Sequence, residues 1–146
     1  MNHIQIRIGV VGTGWITDSF ISAASTEKRA VFTAVYSRKM ETAQQFAKSH
    51  NIPYAFDDLE TMCRCPEVDA IYIGSPNTLH APQSIICMNN KKHVICEKPL
   101  AANLKQAEEM VACAKSNNVV LMEAMRLTPS PVFKAIQKCI NDSKIG

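Results

Sequence analysis

Apolar and polar positions change period in blocks along this chain. "HIQIRIGVV" is β-rich, and it gives way to a helical pattern with Ile16, Phe20, Ile21 and Ala24 on one side. "AVFTAVYS" predicts a second strand, "METAQQFAKSH" a helix, and "IPYAF" a short third strand. "DDLETMC" predicts a short helix begun by an acidic cap. "VDAIYIGSP" is a continuous β-branched and aromatic run closed by Gly and Pro, the pattern of a strand buried on both faces. A helix follows from near Thr78, carrying Ile85 and Ile86, and "KHVICEKP" predicts another strand ending at a proline. Asn103 caps a helix in which Leu104, Ala107, Met110, Val111 and Ala114 share a face. "NVVLMEAM" predicts a further strand. After "LTPSP", the positions Val132, Phe133, Ile136, Cys139 and Ile140 form one more helical stripe.

Strands alternating with crossover helices imply a parallel sheet with helices on both faces. Such crossovers are right-handed almost without exception, so the expected fold is a Rossmann-type, doubly wound, mostly parallel α/β sheet. The chain of 146 residues is a normal size for one such domain.

Composition narrows the function classes. Apolar residues make up 47% and charged residues 20%, which suits a globular protein. No apolar run is long enough to cross a bilayer, and the first apolar stretch reads as a strand rather than a leader, so a cytoplasmic protein without a membrane partner is expected. The net charge of +3 is spread over predicted helices without a basic stripe, which argues against nucleic acid. The six cysteines form no CxxC and no zinc-spaced set with histidine, so no metal is expected. Cys63 and Cys65 read as neighbours near a helix end, with a metal or redox role the lesser alternative. Cys87, Cys96, Cys113 and Cys139 fall on apolar faces and read as small core residues.

Two stretches carry chemistry. In "IGVVGTGWIT", Gly12 and Gly14 form G-x-G where the first strand turns into a helix. The first glycine permits the sharp turn, the second lets backbone approach a pyrophosphate, and the helix N-terminus favours the anion. Thr17 stands where a third Gly or Ala usually allows close helix–strand packing, so the fingerprint is incomplete and a plain tight corner is the competing reading. The second strand ends "VYSRK", with Ser37 and Arg38 where NAD-binding proteins carry an acidic residue for the ribose. A hydroxyl and a guanidinium suit the 2′-phosphate of NADP, so NADP is favoured over NAD; a solvated surface arginine is the alternative. In "HVICEKPLAAN", Glu97, Lys98 and Pro99 stand at the C-terminal end of a predicted parallel strand, where ligands of open sheets bind. Lys98 there would bind a substrate hydroxyl and act in proton transfer. The competing reading is a Glu97–Lys98 surface pair.

"GVVGTGWI", "YSRKMETAQQFA", "SPNTLHAPQSI", "KHVICEKPLAAN" and "LMEAMRLTPSP" follow one another in an order that resembles the N-terminal domain of the glucose–fructose oxidoreductase / inositol dehydrogenase / MocA family, over essentially the whole chain. The resemblance implies an NAD(P)-binding domain of an oxidoreductase acting on a sugar, polyol or related hydroxyl or carbonyl compound. It implies cofactor contacts at Gly12, Thr13, Gly14, Trp15 and Ile16, at Ser37 and Arg38, at Ser75, Pro76, Asn77 and His80, and at Glu97, Lys98 and Arg126. Lys98 would also touch substrate, and Glu123 and Met125 would lie close by. His80 either hydrogen-bonds in the cofactor loop or occupies the first turn of a helix. Trp15 either shields the nicotinamide or packs on a neighbouring helix. His3, His50 and His93 read as surface or strand-edge residues.

Family members continue into a second α/β domain with the substrate pocket. Residues 1–146 are therefore expected to be the cofactor domain of a longer, homo-oligomeric enzyme, inactive alone. A stand-alone dinucleotide-binding or sensing module is the second hypothesis, and an α/β protein that binds no nucleotide the third.

Overall fold

A computed structural model describes residues 4–125 and 130–145. Six strands, β1 (Ile6–Val11), β2 (Ala30–Tyr36), β3 (Tyr54–Phe56), β4 (Ala70–Ile73), β5 (His93–Cys96) and β6 (Leu121–Glu123), form one sheet in the order β3-β2-β1-β4-β5-β6. Every pairing is parallel, so the doubly wound sheet is present. The helices are α1 (Trp15–Ala24), α2 (Met40–His50), α3 (Leu59–Arg64), α4 (His80–Asn89), α5 (Leu104–Asn117) and α6 (Pro131–Asn141).

The two faces are filled differently. On one, Val11, Ile71, Ile73, Val94 and Cys96 of the sheet pack against Met62 and Cys63 of α3, Cys87 and Met88 of α4, and Met110 and Ala114 of α5. On the other, Ile8, Val10, Val35 and Tyr72 pack against Ile21 of α1 and Phe46 and Ala47 of α2. Each fully buried side chain of this size contributes about 1.5–3 kcal/mol relative to exposure. β4, central in the sheet, is buried at all four positions, as its continuous apolar run predicts.

Local chemistry sets the boundaries. Asp58 accepts from Thr61 N–H at 2.7 Å and caps α3. Asn103 accepts from Gln106 N–H at 3.0 Å and caps α5. Asn51 and Asn118 end α2 and α5 in the left-handed conformation, at φ 55° each, which Asn tolerates.

Several expectations need correction. The third strand covers only Tyr54–Phe56, because Ile52 turns into the core. The helix expected near Thr78 begins as a 3-10 turn, Asn77–Leu79, and becomes α-helical at His80. Leu104 and Val111 are exposed, so the buried face of α5 is narrower than the periodicity suggested. The stripe on α6 is real, but none of its residues is buried. Cys113 and Cys139 are only half-buried, whereas Cys63 lies fully in the core with its sulfur 3.5 Å from that of Cys87.

Candidate functional site

The strands end level with one another. Val11 pairs with Tyr36 and Ile73, Ile73 with Cys96, and Cys96 with Glu123. The next residues, Ser37, Gly12, Gly74, Glu97 and Ala124, therefore form a row along the C-terminal edge. Backbone bonds hold it: Gly12 N–H donates to Tyr36 O (3.1 Å), Gly74 N–H to Val11 O (2.9 Å), Glu97 N–H to Ile73 O (3.0 Å) and Ala124 N–H to Cys96 O (2.7 Å). The strand order reverses between β1 and β4, where ligands of open α/β sheets bind.

The glycine turn has the geometry of a cradle. Gly12 sits at φ +98°, and a Cβ there would lie 2.8 Å from the Gly74 carbonyl oxygen. Above Gly14 a Cβ would meet nothing within 4 Å, so this side of the turn is open to an incoming group. α1 starts at Trp15 with no side-chain cap, which leaves its first N–H groups for a ligand. An open backbone approach onto a helix N-terminus fits a pyrophosphate. Thr17, the departure from the fingerprint, is fully buried. A Cβ on Gly74, just past β4, would meet its Oγ1 at 2.7 Å and the Tyr72 ring at 2.9 Å, so the glycine at the strand end leaves the room that Thr17 takes up.

A cavity of about 360 Å³ opens over this corner, lined by Gly12, Thr13, Gly14, Ser37, Arg38 and Pro76 among others. A second, of about 560 Å³, is lined by Asn77, His80, Glu97, Lys98, Ala124 and Met125. Trp15, Ile16 and Ser75 line both, so the two form one crevice. Trp15 stands at the junction, 75% exposed, and is not packed on a neighbouring helix. A third cavity, of about 660 Å³, adjoins the second through Ile16, Glu97, Ala124 and Met125 and runs beside Phe20, Met122 and Lys134.

Side-chain bonds brace the second cavity. The Tyr72 hydroxyl donates to Glu97 Oε1 at 2.8 Å, and Lys98 N–H faces Oε2 at 3.3 Å. The Glu97 carboxylate is thus bonded to Tyr72 and to the Lys98 backbone, and it makes no ion pair with the Lys98 ammonium. Lys98 is exposed at the rim, and its peptide bond to Pro99 is cis. Glu123 Oε1 accepts from Leu100 N–H at 2.9 Å, tying β6 to the loop after β5.

His80 is 1% exposed. Its Nδ1 lies 2.8 Å from Pro99 O and its Nε2 2.9 Å from Ser75 O, and the ring N–H donates to one of them according to the tautomer. Both expected readings of His80 hold together: it opens α4, and it braces the loops that line the crevice. Ser75 donates to Gln83 of the same helix.

Tyr72, Gln83 and Gly74 were missed from sequence. A tyrosine inside an apolar strand and a glutamine inside a helix carry no signal of their own; Gly74 was read only as a strand terminator. Arg126 falls outside the described residues, as does His3. His50 bonds Asp18 at 2.7 Å, and His93 Nδ1 accepts from Val120 N–H at 3.0 Å, both away from the crevice. Burial pushes the Cys96 thiol up to about 11. Among the described residues no group of three or more His, Cys, Asp or Glu is placed to hold a metal, and no helix is long and apolar enough to cross a membrane.

Comparison with known proteins agrees with this geometry. The model of an oxidoreductase family, NAD-binding Rossmann fold, matches residues 6–125. A scyllo-inositol 2-dehydrogenase (NADP(+)) of Bacillus subtilis is 50% identical over 142 residues, covering 97% of this chain and 43% of that protein. A trans-1,2-dihydrobenzene-1,2-diol dehydrogenase of Xenopus laevis is 38% identical over 140 residues, covering 94% of this chain and 42% of its own length. A solved 3-ketoreductase from Actinomadura kijaniata, in complex with NADP and TDP-benzene, superposes with a TM-score of 0.89 at 28% identity, over 97% of this chain and 44% of that one. The chain thus spans less than half the length of the relatives it matches.

Proposed function

The chain belongs to the glucose–fructose oxidoreductase / inositol dehydrogenase / MocA family as its NAD-binding Rossmann domain, and on that basis we propose that its crevice holds NADP and that the whole protein transfers hydride to or from a sugar- or polyol-like hydroxyl or carbonyl carbon. The observation that carries the reading is the continuity of the crevice from the Gly12–Gly14 turn and Arg38 to Glu97 and Lys98. The nicotinamide, when bound, supplies the hydride chemistry.

In this reading the Gly12–Ile16 backbone receives the pyrophosphate, and Ser37 and Arg38 take the ribose and its 2′-phosphate. Arg38 is exposed and makes no ion pair among the described residues, so its fork is available to a phosphate. Ser75, Pro76 and Asn77 border the middle of the cofactor, with His80 fixing their loop. Lys98, exposed at the rim and without an ion pair among the described residues, exchanges or stabilises the proton of the substrate hydroxyl. Residues 1–146 supply the cofactor half of the activity, and substrate selection belongs to sequence that the relatives carry beyond the matched part. Homo-oligomer formation and a cytoplasmic setting are part of the same reading and rest on the family resemblance.

Titration with NADPH and NADH, followed by tryptophan and cofactor fluorescence, tests this. NADPH is expected to bind more tightly, and Arg38→Ala to weaken it about tenfold while leaving NADH nearly unchanged. No response to either cofactor would overturn the reading. An Arg38→Ala variant with unaltered preference would overturn the choice of NADP.

A further inference from the structure

Among the described residues, the Glu97 carboxylate is the one acidic group lining the cavity that also holds Lys98. Its position is fixed from the sheet face that packs on α1. The Tyr72 hydroxyl binds Oε1 at 2.8 Å, and the Tyr72 ring is itself fully buried. That ring stacks on Phe20 with centroids 3.8 Å apart and planes 2° from parallel. Phe20 in turn meets Phe32 edge-on at 5.9 Å. Lys98 N–H occupies Oε2. Both carboxylate oxygens therefore have partners, and the aromatic chain that sets the hydroxyl cannot shift without disturbing the core. Lys98, by contrast, is exposed on a flexible stem.

We propose that Tyr72 is a positioning residue that fixes the Glu97 carboxylate beside the nicotinamide, so that the site favours the oxidised, cationic cofactor over the reduced, neutral one. This rests on the proposed placement of the nicotinamide end of NADP in this cavity. The reason is electrostatic. The oxidised ring carries a positive charge that the reduced ring lacks, so a fixed anion a few ångströms away stabilises only the oxidised form. A carboxylate free to swing into water would lose that selectivity to screening.

The test is the ratio of dissociation constants for NADP⁺ and NADPH, measured on the full-length protein by titration. Glu97→Gln keeps the shape and removes the charge; it is expected to raise Kd(NADP⁺)/Kd(NADPH) about fivefold. Tyr72→Phe keeps the ring and its stack and should raise the same ratio about twofold. In the double variant the ratio should equal that of Glu97→Gln alone, because Tyr72 acts through Glu97. An unchanged ratio in Glu97→Gln, with both forms still bound, would overturn the inference and leave the cofactor reading intact. A Tyr72→Phe effect of full size on the Glu97→Gln background would overturn the positioning role. Failure of the unaltered protein to bind either form would instead defeat the cofactor reading. Should Tyr72→Phe not fold, Glu97→Gln alone still decides whether the charge acts on the ratio.

Discussion

The two ends of the crevice are built by different means. At the Gly12–Arg38 end the wall is mostly backbone: a left-handed glycine, an uncapped helix start and an arginine reaching into solvent. At the Glu97–Lys98 end side chains are tied to fixed partners: the Tyr72 hydroxyl to the Glu97 carboxylate, the His80 ring to the Ser75 and Pro99 backbone carbonyls, and the Glu123 carboxylate to Leu100 N–H. In the proposed reading, the first end needs only shape and a dipole to receive a phosphate, and the second holds groups in fixed relation beside the reacting ring, which side-chain bonds do.

Breaking the backbone end should have the largest effect on cofactor binding. Gly12→Ala puts a Cβ 2.8 Å from the Gly74 oxygen at a φ that alanine disfavours, so the corner must move. The displaced corner would no longer present its backbone to a pyrophosphate, and cofactor affinity should fall roughly hundredfold, measurable by titration. At the other end, Lys98→Ala should leave cofactor binding nearly unchanged and lower kcat of the full-length protein by about a hundredfold. Unchanged turnover would remove Lys98 from the mechanism.

A third substitution separates the ends by stability rather than by binding. His80→Ala strips a buried donor from between two carbonyls and should lower unfolding stability by about 2 kcal/mol, read by denaturant titration. Arg38→Ala, on the exposed side, should stay within about 0.5 kcal/mol of the parent. Equal losses for the two would erase the contrast.

The smallest effect lies at the opposite edge of the sheet, outside the crevice. Arg7 bonds Asp69 at 2.6 Å and 2.9 Å, and this contact holds the Asp69 carboxyl below its ordinary 3.8. A lowered carboxyl stabilises the fold above the ordinary value and loses that contribution as pH falls through the lowered one. Asp69→Asn should therefore reduce thermal stability at neutral pH, by no more than about 1 kcal/mol because both side chains are over a third exposed, and the difference should close in acid. Cofactor affinity should not change.

The strands and the doubly wound parallel sheet were readable because alternating strands and helices leave few alternatives once β4 is recognised as buried on both faces. The glycine turn was legible as a strand–helix corner from its spacing, and Glu97-Lys98-Pro99 as a strand end from the proline; the part each takes in a site was implied only by the order of motifs along the chain. The Tyr72–Glu97 bond was not, since it joins residues 25 apart on neighbouring strands, and Tyr72 looks like any aromatic in an apolar run. Nor was the bracing role of His80, which depends on where two loops meet. Leu104, Val111 and the α6 stripe show the converse: periodicity marks a face that can be buried, and packing decides whether it is.

Thr17 and Gly74 carry a lesson about how such domains vary. The tight fit between first helix and central strand is a shared volume, and either partner can give up the atoms. Here the strand gives them up. Substitutions at the two positions should therefore travel together through evolution: a larger residue at 74 calls for a smaller one at 17. A search keyed to the third glycine of the motif would pass over this chain, while one that sums side-chain volume over the pair would find it.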